Sequence, residues 1–419
     1  MKEKVRLFRN DLEALFVKRP NRFLIIAESD GKELACHCPN PGRLSELLFP
    51  GTELILEKRN GPGTGWTAAA LKRDKISAEK NYGSGIVPLY SSRANQAAEQ
   101  LILRRIIPDL REIRREYRIG DSRFDFLCID NRGRRHLVEV KACSLVEHKV
   151  AMFPDAPSVR ALKHLEELAQ YSKEGFGCHV LFVIMHGKPK VFIPNFHTDP
   201  AFAEALCRWG SNGKAGQPGS VMVHAALIRC EKDGMASLAE EEILVESGPP
   251  IKELAASDAG NYLVLLELSS GAQFPNFNNP GGSFASAECF TVETGSLGKL
   301  RMKHGWYVYT GSARKNLSAR IARHKRKLRK QKHWHIDYLT PLAKSIKALP
   351  IMTFRNLECK LAADLEAIGG RGVPGFGCSD CRCKSHLFYF PESPEKNRDF
   401  QDMLFRYRHV ECFKDGEEV

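Results

Sequence analysis

Long apolar runs are missing from this chain. No stretch approaches the roughly 20 successive apolar residues that span a bilayer. The opening decapeptide MKEKVRLFRN carries charges but no apolar core of the secretory kind. A membrane-anchored or exported protein is therefore not expected. Internal repeats and long low-complexity tracts are missing too. Acid is in short supply: Asp+Glu number 50 against 63 Lys+Arg, a net charge of +13. Such a balance suits a polyanionic partner, nucleic acid first and a membrane surface second. Cysteine is not scarce, but the thirteen are scattered and odd in number. That pattern reads as reduced thiols in a cytoplasmic protein rather than a disulfide framework.

At 419 residues, 43% of them hydrophobic, the chain is too long for one core and fits two or three domains. From about Pro20 to Arg73, short β-like runs (RFLIIAES, KELACHC, GTELILEK) are separated by Gly and Pro, as in a small β-barrel. From Tyr90, helical stretches (SRANQAAEQLILRRII, SVRALKHLEELAQYSKEG) alternate with strands (CHVLFVIM, VMVHAALIRC, ILVES), an α/β layer. Gly210–Gly219 reads as a flexible loop and Gly248–Ala259 as an interdomain linker, with a further unit from Gly260.

The most informative stretch is RFDFLCIDNRGRRHLVEVKA, two strands around Asn131-Arg132-Gly133-Arg134. A turn centred on Arg132 sets Asp125 opposite Glu139, and directly opposed residues share a face. Lys141, two residues on, shares it as well. Two bare carboxylates that close repel each other unless a divalent metal lies between them, and Mg²⁺ (or Mn²⁺) prefers carboxylate oxygen. Lys141 then orients a water or steadies a phosphate, which is the chemistry of phosphodiester cleavage. The plain alternative is a solvent-facing strand with a cross-strand salt bridge. Glu99 on the preceding helix offers a third carboxylate. Arg123 precedes Asp125, and Arg160, Lys163 and His164 share a face of the following helix, where cations grip phosphate. In HCPNPGR, a turn at Asn40-Pro41-Gly42 presents Arg43; Cys36-His37-Cys38 is too tightly spaced for a common zinc site.

The pieces HCPNPGR (37–43), AN…E (94–99), SRFDF (122–126), EVKA (139–142) and FPDAPSVRALKHLEEL (153–168), in that order, resemble the sugar fermentation stimulation protein (SfsA) family over roughly residues 15–246. The resemblance implies an OB-like β-barrel (1–83) and a PD-(D/E)xK restriction-endonuclease-like α/β domain (84–246) that binds DNA. Asp125, Glu139 and Lys141 match the catalytic D…ExK, and Glu99 the helical carboxylate. Pro41 stands where Thr is common, which removes a hydroxyl and keeps the Arg43 cation.

The C-terminal part is dense in cations. Arg314–Lys332 holds ten Lys/Arg and no acid, beside Tyr, Trp and His. Without compensating acids a nucleic-acid surface is the better reading than a solvated helix face. Arg320 and His324, four apart, are expected to meet one phosphate, with Arg323, Lys325 and Arg326 as further contacts. Glu358 lies on a later helix and can hold one Mg²⁺. Cys378, Cys381, Cys383 and His386 fall within nine residues, a candidate structural Zn²⁺ site or a rigid turn. If HWHID forms a strand, His333, His335 and Asp337 share a face.

GNY (260–262), YVYTGSA (307–313), LSARIARHKR (317–326), HWHIDYL (333–339), ECKLA (358–362) and FGCSDCRCKSHLFYF (376–390) resemble an uncharacterised domain family related to the GIY-YIG endonucleases, over roughly 260–392. The resemblance implies a GIY-YIG-like α+β domain (260–395) followed by a tail (396–419). It gives Tyr262, Tyr309, Arg320, His324 and Glu358 as site residues. GIY reads GNY and YIG reads YTG, and an insertion at 269–289 separates them. The sequence thus points to a multidomain α/β and β protein. It would be a metal-dependent nucleic-acid phosphodiesterase, with DNA ahead of RNA and an added GIY-YIG-like binding or nuclease domain. The rival is a non-catalytic DNA-binding regulator of sugar-metabolism gene expression.

Overall fold

The computed structural model describes residues 3–59, 63–73, 85–211, 218–268, 289–328 and 331–413. The chain divides into two compact units, one within Met1–Ala256 and the other within Ser257–Lys414. Among the described residues no helix is long and apolar enough to cross a membrane.

The first unit opens with a closed five-stranded barrel: β1 (Leu12–Asn21), β2 (Leu24–Ser29), β3 (Lys32–His37), β4 (Glu53–Lys58) and β5 (Trp66–Arg73). Antiparallel neighbours join β1 to β2, β2 to β3, β1 to β4 and β4 to β5, and a parallel pairing of β3 with β5 closes the ring. Side chains alternate across a strand. Thus in β1 Ala14 and Phe16 point inward, where Ile25, Ala27, Leu54, Leu56 and Ala68 complete the core.

The sheet continues from β5 through β6 (Gly85–Pro88) into an α/β layer. Its main path there runs through β7 (Leu110–Ile119), β8 (Ser122–Asp130), β9 (Arg135–Cys143), β10 (Gly177–Ile184) and β11 (Val221–Cys230), in the spatial order β11-β10-β9-β8-β7. β7, β8 and β9 form an antiparallel meander, whereas β9, β10 and β11 run parallel. Parallel neighbours need a crossover. Between β9 and β10 it is α3 (Val159–Lys173), started by Ser158, whose hydroxyl accepts the Ala161 N–H. Leu165, Leu168 and Ala169 of α3 pack on Leu137 and Phe182 of the sheet. The other face is covered by α1 (Arg93–Ala97), a π-helical turn (Ala98–Ile102) and α2 (Leu103–Ile106) in unbroken succession, through Ala97, Leu101 and Ile102. α4 (Pro200–Trp209) packs beside α3.

Two stretches expected to be unstructured carry regular structure where they are described. Residues Pro249–Ser257 form a helix with Ile251, Leu254 and Ala255 buried. Pro at a first helical turn followed by Lys-Glu-Leu-Ala-Ala favours that outcome over a loose linker. The loop expected over 210–219 begins with Gly210 and Ser211 paired to β11, and residues 212–217 lie outside the described residues.

The second unit is an antiparallel sheet with β14 (Ala343–Met352), β12 (Gly260–Leu268), β13 (Gly305–Ala313) and β15 (Leu387–Phe390) in that order. Among the described residues it is accompanied by the α-helices α5 (Leu317–Lys325), α6 (Glu358–Ala367) and α7 (Arg398–Arg406). Leu263, Leu265 and Val308 meet Leu361 and Leu365 in the core. α7 falls where a tail was expected. Phe400, Met403, Leu404 and Tyr407 make one apolar stripe, and all four are buried against that core. The insertion at 269–289 lies outside the described residues except for Cys289, the first residue of a short strand.

Candidate functional site

β8 and β9 pair regularly from Ile129 opposite Arg135 to Phe126 opposite Val138. The next step in that register sets Asp125 against Glu139. There a side chain takes over from the backbone: Asp125 Oδ2 accepts the Val140 N–H at 2.7 Å. Asp125 Oδ1 accepts from Asn95 Nδ2 of α1 at 2.6 Å. Burial and the adjacent Glu139 charge push the Asp125 carboxyl up to about 6.

Glu139 is 3% exposed. Its Oε1 accepts from Lys141 Nζ at 2.6 Å and from His164 Nδ1 of α3 at 2.5 Å. Its Oε2 is buried with no hydrogen-bond partner. Burial alone raises a carboxyl, but the His164 bond and the Lys141 charge outweigh it and hold Glu139 below its ordinary value. Environment thus separates the two opposed acids, one raised and one lowered, a pattern that marks functional sites.

A cavity of about 520 Å³ lies over these groups, lined by Asp125, Glu139 and Lys141 together with Asn95, Arg160, Asp155 and the Asn40–Gly42 turn. Asn40 Oδ1 accepts the Gly42 N–H at 2.9 Å, and Arg19 holds the turn through the Asn40 and Gly42 carbonyls. A Cβ on Gly42 would lie 2.1 Å from Asp155 Oδ2. Glycine is therefore required where this turn meets the wall, and Asp155 also accepts the Arg43 N–H at 2.8 Å.

In the second unit, Tyr262 faces Gly311 across the β12–β13 ladder, and a Cβ on Gly311 would lie 2.4 Å from the Tyr262 ring. The glycine of YTG makes room for the tyrosine of GNY. Tyr262 Oη is 3.0 Å from His324 Nε2, and the Tyr262 and Tyr309 ring centroids are 6.5 Å apart. Burial pushes both phenols well up. Arg320 Nη1 donates to the Ser312 carbonyl at 2.8 Å. Glu358, the first residue of α6, accepts from Ser312 Oγ at 2.5 Å through Oε2 and from His386 Nδ1 at 2.9 Å through Oε1. After burial, which raises it, these two bonds hold Glu358 below its ordinary value.

Residues 17–78 match the model of the SfsA N-terminal OB domain, and residues 92–224 that of the sugar fermentation stimulation protein RE domain. The sugar fermentation stimulation protein homolog of Pyrobaculum neutrophilum is 36% identical over 223 residues, 53% of this chain and 89% of that protein. The chain belongs to the SfsA family. The Clostridium tetani SfsA homolog is likewise 36% identical, over 47% of this chain and 84% of its own length. The solved structure of Pyrococcus furiosus SfsA in complex with Ca²⁺ is 26% identical, covers 58% of this chain and 99% of that one, and has a TM-score of 0.49. Residues 283–409 match a domain of unknown function, DUF123, so this SfsA chain carries an additional GIY-YIG-related domain.

Several residues singled out in the sequence stand elsewhere than expected. Glu99 does not line the cavity. It lies on the π-helical turn, one turn beyond Asn95, and Oε2 accepts from Arg115 Nε of β7 at 2.8 Å. Asn95 reaches Asp125 instead. His164 is a buried partner of Glu139 rather than a surface phosphate contact. Lys163 pairs with Glu167 at 3.5 Å and Arg123 with Glu116 at 3.0 Å, which leaves Arg160 as the cation of that group lining the cavity. The Arg43 side chain is exposed but not among the lining residues.

In the second unit, His324 is fully buried against Tyr262 and cannot share a surface phosphate with Arg320. Arg323 pairs with buried Asp337, which also accepts the His333 and Trp334 N–H groups. His335–Tyr338 is a 3₁₀ turn, so the HWHID trio is not a strand face. Lys325 and Arg326 are exposed, while Lys327 donates to the Ala343 carbonyl at 2.6 Å; Arg329 and Lys330 of the basic run lie outside the described residues. Among the described residues, the Cys and His side chains that converge closely enough to share a metal ion are those of Cys359, Cys381, Cys383 and His386, with Cys359 of α6 where Cys378 was expected. Asn95, Asp155, Ser312 and Cys359 all sit inside quoted motifs. Their signal was adjacency to a singled-out residue, and spacing alone does not reveal a contact between elements.

Proposed function

We propose that the chain is a metal-dependent nucleic-acid phosphodiesterase, with DNA ahead of RNA as substrate, acting at the Asp125–Glu139–Lys141 site. One observation carries this reading. Two opposed carboxylates share a cavity wall, and Glu139 keeps a buried oxygen without a partner. An orphaned buried carboxylate oxygen beside a second acid costs free energy unless something cationic joins it. That donor set, all oxygen and anionic, fits a hard divalent cation such as Mg²⁺ or Mn²⁺.

Asp125 and Glu139 would hold the ion. When bound, it supplies charge that offsets the acids and polarises a phosphate oxygen or a water. Asn95 and the Val140 N–H fix the Asp125 carboxylate, and His164 fixes that of Glu139. The Lys141 ammonium stabilises the negative charge that grows as the phosphodiester is attacked. Arg160 grips a flanking phosphate from the cavity wall. The OB barrel adds contacts along the strand, and the exposed cations of the second unit supply a nucleic-acid surface of their own.

The test is cleavage of labelled single- and double-stranded DNA and RNA with Mg²⁺ or Mn²⁺, comparing wild type, Lys141→Ala and Glu358→Ala. Loss in Lys141→Ala alone assigns the chemistry to the β8–β9 hairpin. Loss in Glu358→Ala alone moves it to the second unit. Binding without cutting on every substrate overturns the reading in favour of a DNA-binding regulator.

A further inference from the structure

Cys359, Cys381, Cys383 and His386 bring their ligand atoms within 4.8 Å of one another, although Cys359 lies 22 residues before the nearest of the other three. A tetrahedral ion with Zn–S near 2.3 Å sets its sulfurs about 3.8 Å apart. The observed cluster therefore closes on such an ion with shifts on the order of 1 Å. Three thiols and an imidazole suit zinc, and the absence of oxygen donors disfavours magnesium or calcium. All the cysteines are free thiols.

His386 decides how the cluster is oriented. Its Nδ1 meets Glu358 Oε1 at 2.9 Å, and its Nε2 lies 3.2 Å from Cys381 Sγ. A carboxylate accepts and does not donate, so Nδ1 carries the proton and the Nε2 lone pair faces the sulfurs. That is the carboxylate–histidine arrangement that accompanies zinc ligation. The surrounding segment from Val373 to Ser385 has no regular secondary structure and is closed by a few backbone bonds, among them Gly375 N to Lys384 O at 2.9 Å and His386 N to Phe376 O at 2.8 Å. A metal bridging it to α6 gives such a segment its anchor.

We propose that Cys359, Cys381, Cys383 and His386 bind one zinc ion, with Glu358 as the carboxylate behind His386. The site then has a second consequence. Glu358 is the acid of the Tyr262–Tyr309–Arg320 cluster, and zinc at His386 Nε2 leaves Nδ1–H to donate to it, with Thr310 Oγ1 3.1 Å from the same nitrogen. Metal occupancy therefore positions Glu358 within that cluster.

The full chain, purified under reductant, is expected to carry about one zinc per molecule by elemental analysis. Cys381→Ser, Cys383→Ser and Cys359→Ser should each remove most of it, whereas Cys378→Ser should keep it. Glu358→Gln should weaken zinc about 10- to 100-fold in competition with a chelator. A thiol variant can simply misfold, so metal-stripped wild type is also titrated with Co²⁺. Thiolate-to-cobalt charge-transfer absorption supports the site. Its absence from a chain with an unchanged circular-dichroism spectrum overturns it, as does a Cys378→Ser loss equal to that of Cys381→Ser. Unchanged affinity in Glu358→Gln overturns the link to Glu358. Metal content is read whether or not the Asp125 site cuts, so neither result stands in for the other.

Discussion

Lys141 Nζ lies 2.6 Å from Glu139 Oε1, two residues away on the same strand. The ammonium is thereby held at the carboxylate with the orphaned oxygen, at the cavity wall. Replacing Lys141 with Ala should lower kcat by about 10²–10³-fold, the size of one lost charge-stabilising donor. Nucleic-acid affinity should change little, because Arg160 and the exposed cations remain. Single-turnover cleavage beside a binding titration in EDTA checks both; equal losses in binding and cutting would remove Lys141 from the chemistry.

Asp125 makes a prediction about pH. Its carboxyl stands at about 6 in the fold against 3.8 in the free group. Below 3.8 both folded and unfolded chains are protonated and the site costs nothing. Between 3.8 and 6 the unfolded chain ionises first, so stability falls as pH rises, and the full cost applies above 6. That rise corresponds to about 3 kcal/mol. Asp125→Asn should therefore stabilise the metal-free protein at pH 8 by about 1–3 kcal/mol while abolishing cleavage. Urea unfolding at pH 4 and pH 8 checks the sign, since the gain should vanish at the lower pH. Metal binding favours the ionised form, so wild-type cleavage should rise with pH toward 6.

Much of this site was legible because its parts are local. A hairpin centred on Arg132 fixes which residues oppose one another by counting, and the period of a strand brings Lys141 to Glu139. The barrel followed from short runs broken by Gly and Pro. What counting does not reach is contact between distant elements. That His164 turns inward to Glu139, that Asn95 rather than Glu99 meets Asp125, and that Cys359 joins a loop more than twenty residues on are set by helix packing and by a π-helical turn. The helix over 249–257 and α7 were hidden for another reason. Pro-rich entry and a preponderance of charge masked amphipathic stripes that declare themselves once Ile251, Leu254, Phe400 and Leu404 find a core.

Arg160 offers a prediction about salt. It is exposed, lines the cavity and has the reach to pair with a phosphate beside the reacting one. Arg160→Ala should reduce the slope of log K against log salt by about 1 and weaken binding similarly on every sequence. Fluorescence anisotropy in EDTA over a salt series measures it. An unchanged slope would place the phosphate contact elsewhere.

A chain of three imidazoles crosses the parallel part of the sheet. His136 Nδ1 is 3.1 Å from His179 Nε2, and His179 Nδ1 is 3.0 Å from His224 Nε2, on β9, β10 and β11 in turn. Gly177 is held to glycine there, since a Cβ would lie 2.3 Å from His136 Nδ1. Burial lowers all three, His224 to about 4, and for His179 the charges of His224 and His136 add to the effect. Lowered histidines cost the fold nothing above 6.5, where both states are neutral. As pH falls from 6.5 toward 4, the unfolded chain takes up protons that the fold refuses, and stability is lost. For His224 alone the shift corresponds to about 3 kcal/mol. Asp125 acts in the opposite direction over part of this range, so the comparison belongs in the Asp125→Asn background. There, urea midpoints should drop steadily below pH 6.5, and His224→Gln should shallow the drop by roughly one proton's worth of slope. A slope untouched by His224→Gln would assign the acid sensitivity to other buried groups, His186 first among them.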